Sequence, residues 1–168
     1  MISRATTSVR SPESAAWLGG AGSKALSRQD ADSVEAADTR GLTFLQISDS
    51  HVGFNKPANP DALGTLREAI DKVKAVQSRP AFMIHTGDIT HLSKPDEFDN
   101  ADQIIGEAKL DVHYVPGEHD FIDEGLGKAY LDRYGKGTKG QGWYSFDDHG
   151  VHFVGLVNVV DLKAGGLG

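Results

Sequence analysis

Apolar and polar positions along this chain fall into a repeating order. Leu42-Thr43-Phe44-Leu45-Gln46-Ile47, Ala81-Phe82-Met83-Ile84 and Val112-His113-Tyr114-Val115 are short apolar runs of strand character. Between the first two, Leu63, Leu66, Ala69, Ile70, Val73 and Val76 recur at helical spacing. They predict a helix over 59–77, capped by Asn59 with Pro60 in its first turn. Between the second and third runs, Phe98, Ala101, Ile104, Ile105 and Ala108 mark the buried face of a helix over 95–108. Strand, helix, strand, helix, strand is the signature of a parallel sheet covered by helices.

After Asp120 the pattern changes. Residues 121–142 are glycine-rich and predict a long loop with a short helical piece at 129–134. Trp143-Tyr144-Ser145-Phe146, the turn Asp147-Asp148-His149-Gly150 and the run 151–157 then predict an antiparallel hairpin.

The first forty residues differ in kind. They are rich in Ala, Ser, Gly, Arg and Asp and poor in large apolar side chains, so they bury too little to offset their ordering entropy. Residues 1–40 are expected to be a disordered leader, with 41–168 forming the folded part. Arg4, Arg10 and the small-residue stretch 15–22 resemble a degenerate export signal, with Val34-Glu35-Ala36 as a cleavage site. The apolar segment is short and glycine-rich and there is no twin arginine, so a cytoplasmic location is the default and periplasmic export the alternative.

Composition narrows the function classes. The 168 residues suffice for one domain with a core, and a net charge of −7 offers no bulk attraction to nucleic acid or anionic lipid. Cysteine is absent, which excludes disulfides and thiolate metal sites. No apolar run approaches the roughly 20 residues of a membrane-spanning helix.

Chemistry concentrates just after the three strand-like runs: Asp49-Ser50-His51, then Gly87-Asp88, then Gly117-Glu118-His119-Asp120. Ligands of open α/β sheets bind at that edge, and carboxylate oxygens with imidazole nitrogens suit divalent transition metals. Asp49 and His51, two apart, would point to one side of a strand. Gly87 allows a sharp turn before Asp88. Of the other histidines, His85 is expected at a strand end, His113 partly buried in a strand, and His149 and His152 on the hairpin. His91, three past Asp88, is the best further candidate to line a cleft, and Asn158 a weaker one.

In this order the motifs resemble the calcineurin-like metallophosphoesterase family: D-x-H, G-D, then G-N-H-D/E, here with Glu118 in place of Asn. The resemblance covers about residues 42 to 160. It implies an α/β fold, an incomplete calcineurin-like sandwich of two β-sheets flanked by helices. It implies hydrolysis of phosphomonoesters or phosphodiesters by a metal-activated water, with two divalent metal ions (manganese, iron or zinc) and a small phosphate ester as substrate. Asp49, His51 and Asp88 would serve one metal, and Asp88 and Glu118 the other. His119 and Asp120 would be the catalytic residues, His119 contacting the phosphate or protonating the leaving oxygen and Asp120 orienting or supporting that loop. The family's later histidines, including G-H-x-H, have no match after Val160. The expectation is therefore a chain truncated at the C-terminus, the alternative being an inactive fragment that acts as a metal-binding or interaction module.

Overall fold

The computed structural model describes residues 2–7, as backbone, and residues 41–159. The fold is mixed α/β, with two sheets and three helices among the described residues. The larger sheet has the order β1 (Ile2–Thr7), β2 (Leu42–Ile47), β3 (Met83–His85), β4 (Val112–Tyr114). β2, β3 and β4 are parallel, with Leu45 opposite Met83 and Met83 opposite Val112. Helix α1 (Ala62–Lys74) follows β2 and helix α2 (Pro95–Gly106) follows β3. This is the predicted alternation.

Three boundaries moved. The first helix begins at Ala62, not at 59, because Asp61 is the better cap: its Oδ1 accepts from Gly64 N–H at 2.8 Å. Asn59 instead accepts from Thr65 Oγ1 and from Asp61 N–H. The second strand shifts to Met83–His85, which brings His85 into the ladder.

The third difference is at the start of the chain. Ile2–Thr7, expected to lack structure, forms β1 antiparallel to β2, with Ile2 opposite Ile47 and Thr7 opposite Leu42. An unpaired edge of β2 would leave a row of backbone donors and acceptors without partners, and ladder pairing satisfies them whatever the composition of the added strand. Arg4 of the candidate export signal pairs with Leu45 in this strand, and the remainder of the expected leader, 8–40, lies outside the described residues.

Leu45, Ile47, Leu66, Ile70, Met83, Phe98 and Ile105 pack into one core between the sheet and the two helices. Helix α3 (Lys128–Tyr134) docks on α2 from the glycine-rich segment. Arg133 pairs with Asp99 at 2.6 Å and with Asp102 at 3.2 Å, while Tyr130 is buried against Phe98.

The second sheet is the hairpin β5 (Tyr144–Asp148) and β6 (Val151–Gly155). Its apolar face meets the outer face of the larger sheet. Phe146 and Phe153 pack edge-on to Phe82 at 5.3 and 5.2 Å, and Tyr144 Oη donates to the Tyr114 carbonyl at 2.8 Å. His113 is half-buried, stacked on Phe146 at 3.6 Å.

Candidate metal centre

The loops that leave β2 and β3 are tied to each other by their backbones. Asp49 N–H donates to the Gly87 carbonyl at 3.0 Å, His51 N–H to Asp88 at 2.9 Å and Val52 N–H to Ile89 at 3.0 Å. These bonds hold Asp49, His51 and Asp88 in the left-handed region, at φ 58°, 41° and 53°. Such φ values are uncommon outside glycine but enriched for Asp and His. They cost of order 1 kcal/mol each and persist where the surroundings over-determine them. The expectation that Asp49 and His51 share a strand face is thus met by a different route. The strand has ended at Ile47, and a left-handed turn turns both side chains to one side.

Two sets of donors result. Asp49, His51 and Asp88 each offer one atom, all within 4.8 Å of one another, and so do His51, His91 and His119. His51 belongs to both. His51 Nε2 stands 3.6 Å from Asp88 Oδ2, too far for a hydrogen bond, so two lone-pair-bearing atoms face a common point. The Nδ1 atoms of His51 and His91 are buried and, among the described residues, have no hydrogen-bond partner. Buried polar atoms are nearly always satisfied in folded proteins. Two orphaned imidazole nitrogens within a cluster of metal-ligating side chains therefore fit a divalent cation. Burial, together with the neighbouring His119 and His51, holds the His91 pKa below its ordinary value, which keeps its lone pair available.

Gly117-Glu118-His119-Asp120 supplies the third side. It forms a single 3₁₀ turn, Glu118–Asp120, after β4. Asp120 is 0% exposed and does not face the cluster. Its carboxylate accepts from Ile89 N–H, Thr90 N–H, Thr90 Oγ1 and Gly117 N–H, at 2.9 to 3.1 Å, and so clamps this turn to the loop after β3. Burial pushes the Asp120 carboxyl up from its ordinary value, and the four hydrogen bonds pull it back.

His119 is held on three sides. Its N–H donates to Asp88 Oδ1 at 3.0 Å, and its carbonyl accepts from Ser93 Oγ at 2.6 Å. Its Nδ1 lies 2.6 Å from the His91 carbonyl. A carbonyl only accepts, so Nδ1 carries the proton and Nε2 is the free nitrogen. Glu118 is exposed and belongs to neither donor set.

His85 is structural. It is 0% exposed, accepts from Gly87 N–H at Nδ1 and meets Ser50 Oγ at Nε2 at 2.9 Å, while Ser50 donates to the Ile89 carbonyl. Burial lowers its pKa to about 3, so it is neutral near pH 7. His149 and His152 lie exposed on the hairpin, each beside an aspartate, and Asn158 is exposed after β6. Thr90 and Ser93, which support His119 and Asp120, were not foreseen. Only their nearness to Gly87-Asp88 in the sequence pointed to them.

Among curated proteins, none matches this chain. The family model for calcineurin-like phosphoesterases matches residues 42–166, a span that begins at β2 and takes in both donor sets and the hairpin. The chain belongs to the calcineurin-like phosphoesterase family, whose members are metal-dependent hydrolases.

Proposed function

We propose that this protein hydrolyses a small phosphomonoester or phosphodiester, with a divalent cation held by Asp49, His51 and Asp88. The convergence of these three donors within 4.8 Å supports this reading above all. The chemistry that a bound cation supplies is Lewis acidity, which makes water a better nucleophile and offsets charge on phosphoryl oxygens. The protein's own groups do the rest. Asp49 and Asp88 supply the negative charge that holds the cation over a competing proton. His51 adds a nitrogen donor. His119 presents Nε2, and in its protonated form donates that proton to the departing alkoxide oxygen. Its Nδ1–H, anchored on the His91 carbonyl, fixes the ring for that transfer. Asp120 acts through Gly117, Ile89 and Thr90 and positions this turn.

Turnover of nitrophenyl phosphate and of bis(nitrophenyl) phosphate tests the proposal. Activity is expected with manganese, to vanish with chelator and to return on readdition. His119→Gln should lower turnover of an alkyl phosphate, whose alkoxide is the poorer leaving group, more than that of nitrophenyl phosphate. Glu118→Ala should leave manganese binding at the Asp49, His51, Asp88 set unchanged. Bound manganese without turnover of either ester, in a protein shown to be folded, would leave a metal-binding module. No helix among the described residues is long and apolar enough to cross a membrane.

A further inference from the structure

We infer that His51, His91 and His119 form a second cation site, made only of imidazole and selective for borderline-soft divalent ions such as zinc over manganese or magnesium. The three rings surround one point. Their centroids lie 5.9 Å (His51–His91), 4.8 Å (His51–His119) and 5.0 Å (His91–His119) apart, and their donor atoms fall within 4.8 Å of one another. Zinc bonds to imidazole nitrogen at about 2.0–2.1 Å in tetrahedral sites, which places donors about 3.4 Å apart. Small ring rotations close that difference.

The surroundings fit ligation. His119 Nδ1–H is bound to the His91 carbonyl at 2.6 Å, the outer bond that ligating histidines commonly make, so its Nε2 lone pair is free. Among the described residues, His91 Nδ1 is buried without a partner, and so is His51 Nδ1. Phe54 closes one flank, its ring 5.0 Å from His91 and nearly perpendicular to it. Three imidazole nitrogens, with no carboxylate in the set, favour imidazole-seeking metals. The Asp49, His51, Asp88 set, rich in oxygen, favours manganese or magnesium.

The two sites share His51. A zinc ion on the three histidines withdraws His51 from the neighbouring set and occupies the Nε2 lone pair of His119. On the reading that His119 is the proton donor, excess zinc therefore inhibits. The site itself does not depend on that reading.

Cobalt and zinc binding by the full chain tests it. Cobalt in a four-coordinate imidazole site absorbs visible light strongly, and in a six-coordinate oxygen-rich site weakly. Parent protein should bind cobalt with the strong band and release it to zinc. His91→Ala, which keeps the backbone carbonyl used by His119, should lose the band and bind zinc at least tenfold more weakly, with manganese affinity unchanged. Asp49→Gly, which preserves the left-handed backbone while removing the carboxylate, should do the reverse. Circular dichroism confirms that both variants are folded. Unchanged zinc affinity in His91→Ala, or a parent without the strong band, overturns the inference. Failure of the proposed hydrolysis would instead show as absent turnover with both bands and affinities intact.

Discussion

Two regions of this molecule place aspartate beside histidine, and the closer pair is the less consequential. On the hairpin, His152 and Asp147 meet at 2.8 Å with side chains 59% and 78% exposed. At the edge of the parallel sheet, His51 and Asp88 stand 3.6 Å apart, 29% and 18% exposed. The hairpin pair is complete in itself: one donor, one acceptor, and water for everything else. The sheet-edge pair is incomplete, with several lone pairs converging and two buried nitrogens left over. Contact distance measures how well two groups satisfy each other. Unsatisfied convergence measures what a third party could gain.

The sharpest way to break that contrast is Asp88→Asn, a residue that tolerates the left-handed backbone. Manganese-dependent turnover should fall by about a thousandfold or more, on the order of 4 kcal/mol in the barrier. Manganese titration and steady-state rates check this, and a rate near that of the parent would place the cation elsewhere.

Next in size is Asp120→Ala. It strands the N–H groups of Gly117, Ile89 and Thr90 in the interior, at about 1–3 kcal/mol each before relaxation. Urea unfolding should show a loss of about 3 kcal/mol or more. The same substitution at Asp147 has no buried donor to strand.

A third test uses acid. The folded pKa of His85 is lowered to about 3 from 6.5, so the unfolded chain binds its proton first as pH falls. Stability from this group is full above pH 6.5 and is lost on the way down, by about 1.4 kcal/mol per unit and about 2 kcal/mol by pH 5. His91 and His113 are lowered as well and add to the same slope, whereas the raised carboxyl of Asp120 opposes it nearer pH 4. Comparing parent with His85→Gln between pH 6.5 and 5 isolates the His85 share, and equal slopes would refute it.

The smallest effect is expected on the hairpin. His152→Ala and Asp147→Ala should each change stability by less than about 0.5 kcal/mol and leave metal binding untouched. A larger shift would mean that exposed pair is more than a surface contact.

Local chemistry made part of this legible beforehand. The run 42–47 is β2 residue for residue, since its apolar periodicity had no competitor. The periodicity of α1 and α2 was equally plain, while the first cap was misplaced by two residues because Asn59 and Asp61 are both good caps. Strand β1 was invisible because its partner, β2, supplies the reason for it, and pairing across so long a separation leaves no local trace. At the site, motif order brought Asp49, His51 and Asp88 into view. The left-handed turn that joins them, the partners Asp120 uses to support its loop and the meeting of His91 with His119 are properties of loops touching one another. No spacing in one segment encodes such contacts.

The abutting glycines at the site carry a consequence for rates. A Cβ on Gly87 would lie 2.5 Å from Gly117 N, and one on Gly117 would lie 2.1 Å from Asp88 Oδ1. With no side chain between them, the loops after β3 and β4 lie backbone against backbone. An arriving ion meets donors that are already assembled, and no loop has to order before it binds. Its association is then paced by how readily it sheds its own hydration shell. Magnesium, which dehydrates reluctantly, should enter more slowly than manganese even at equal affinity.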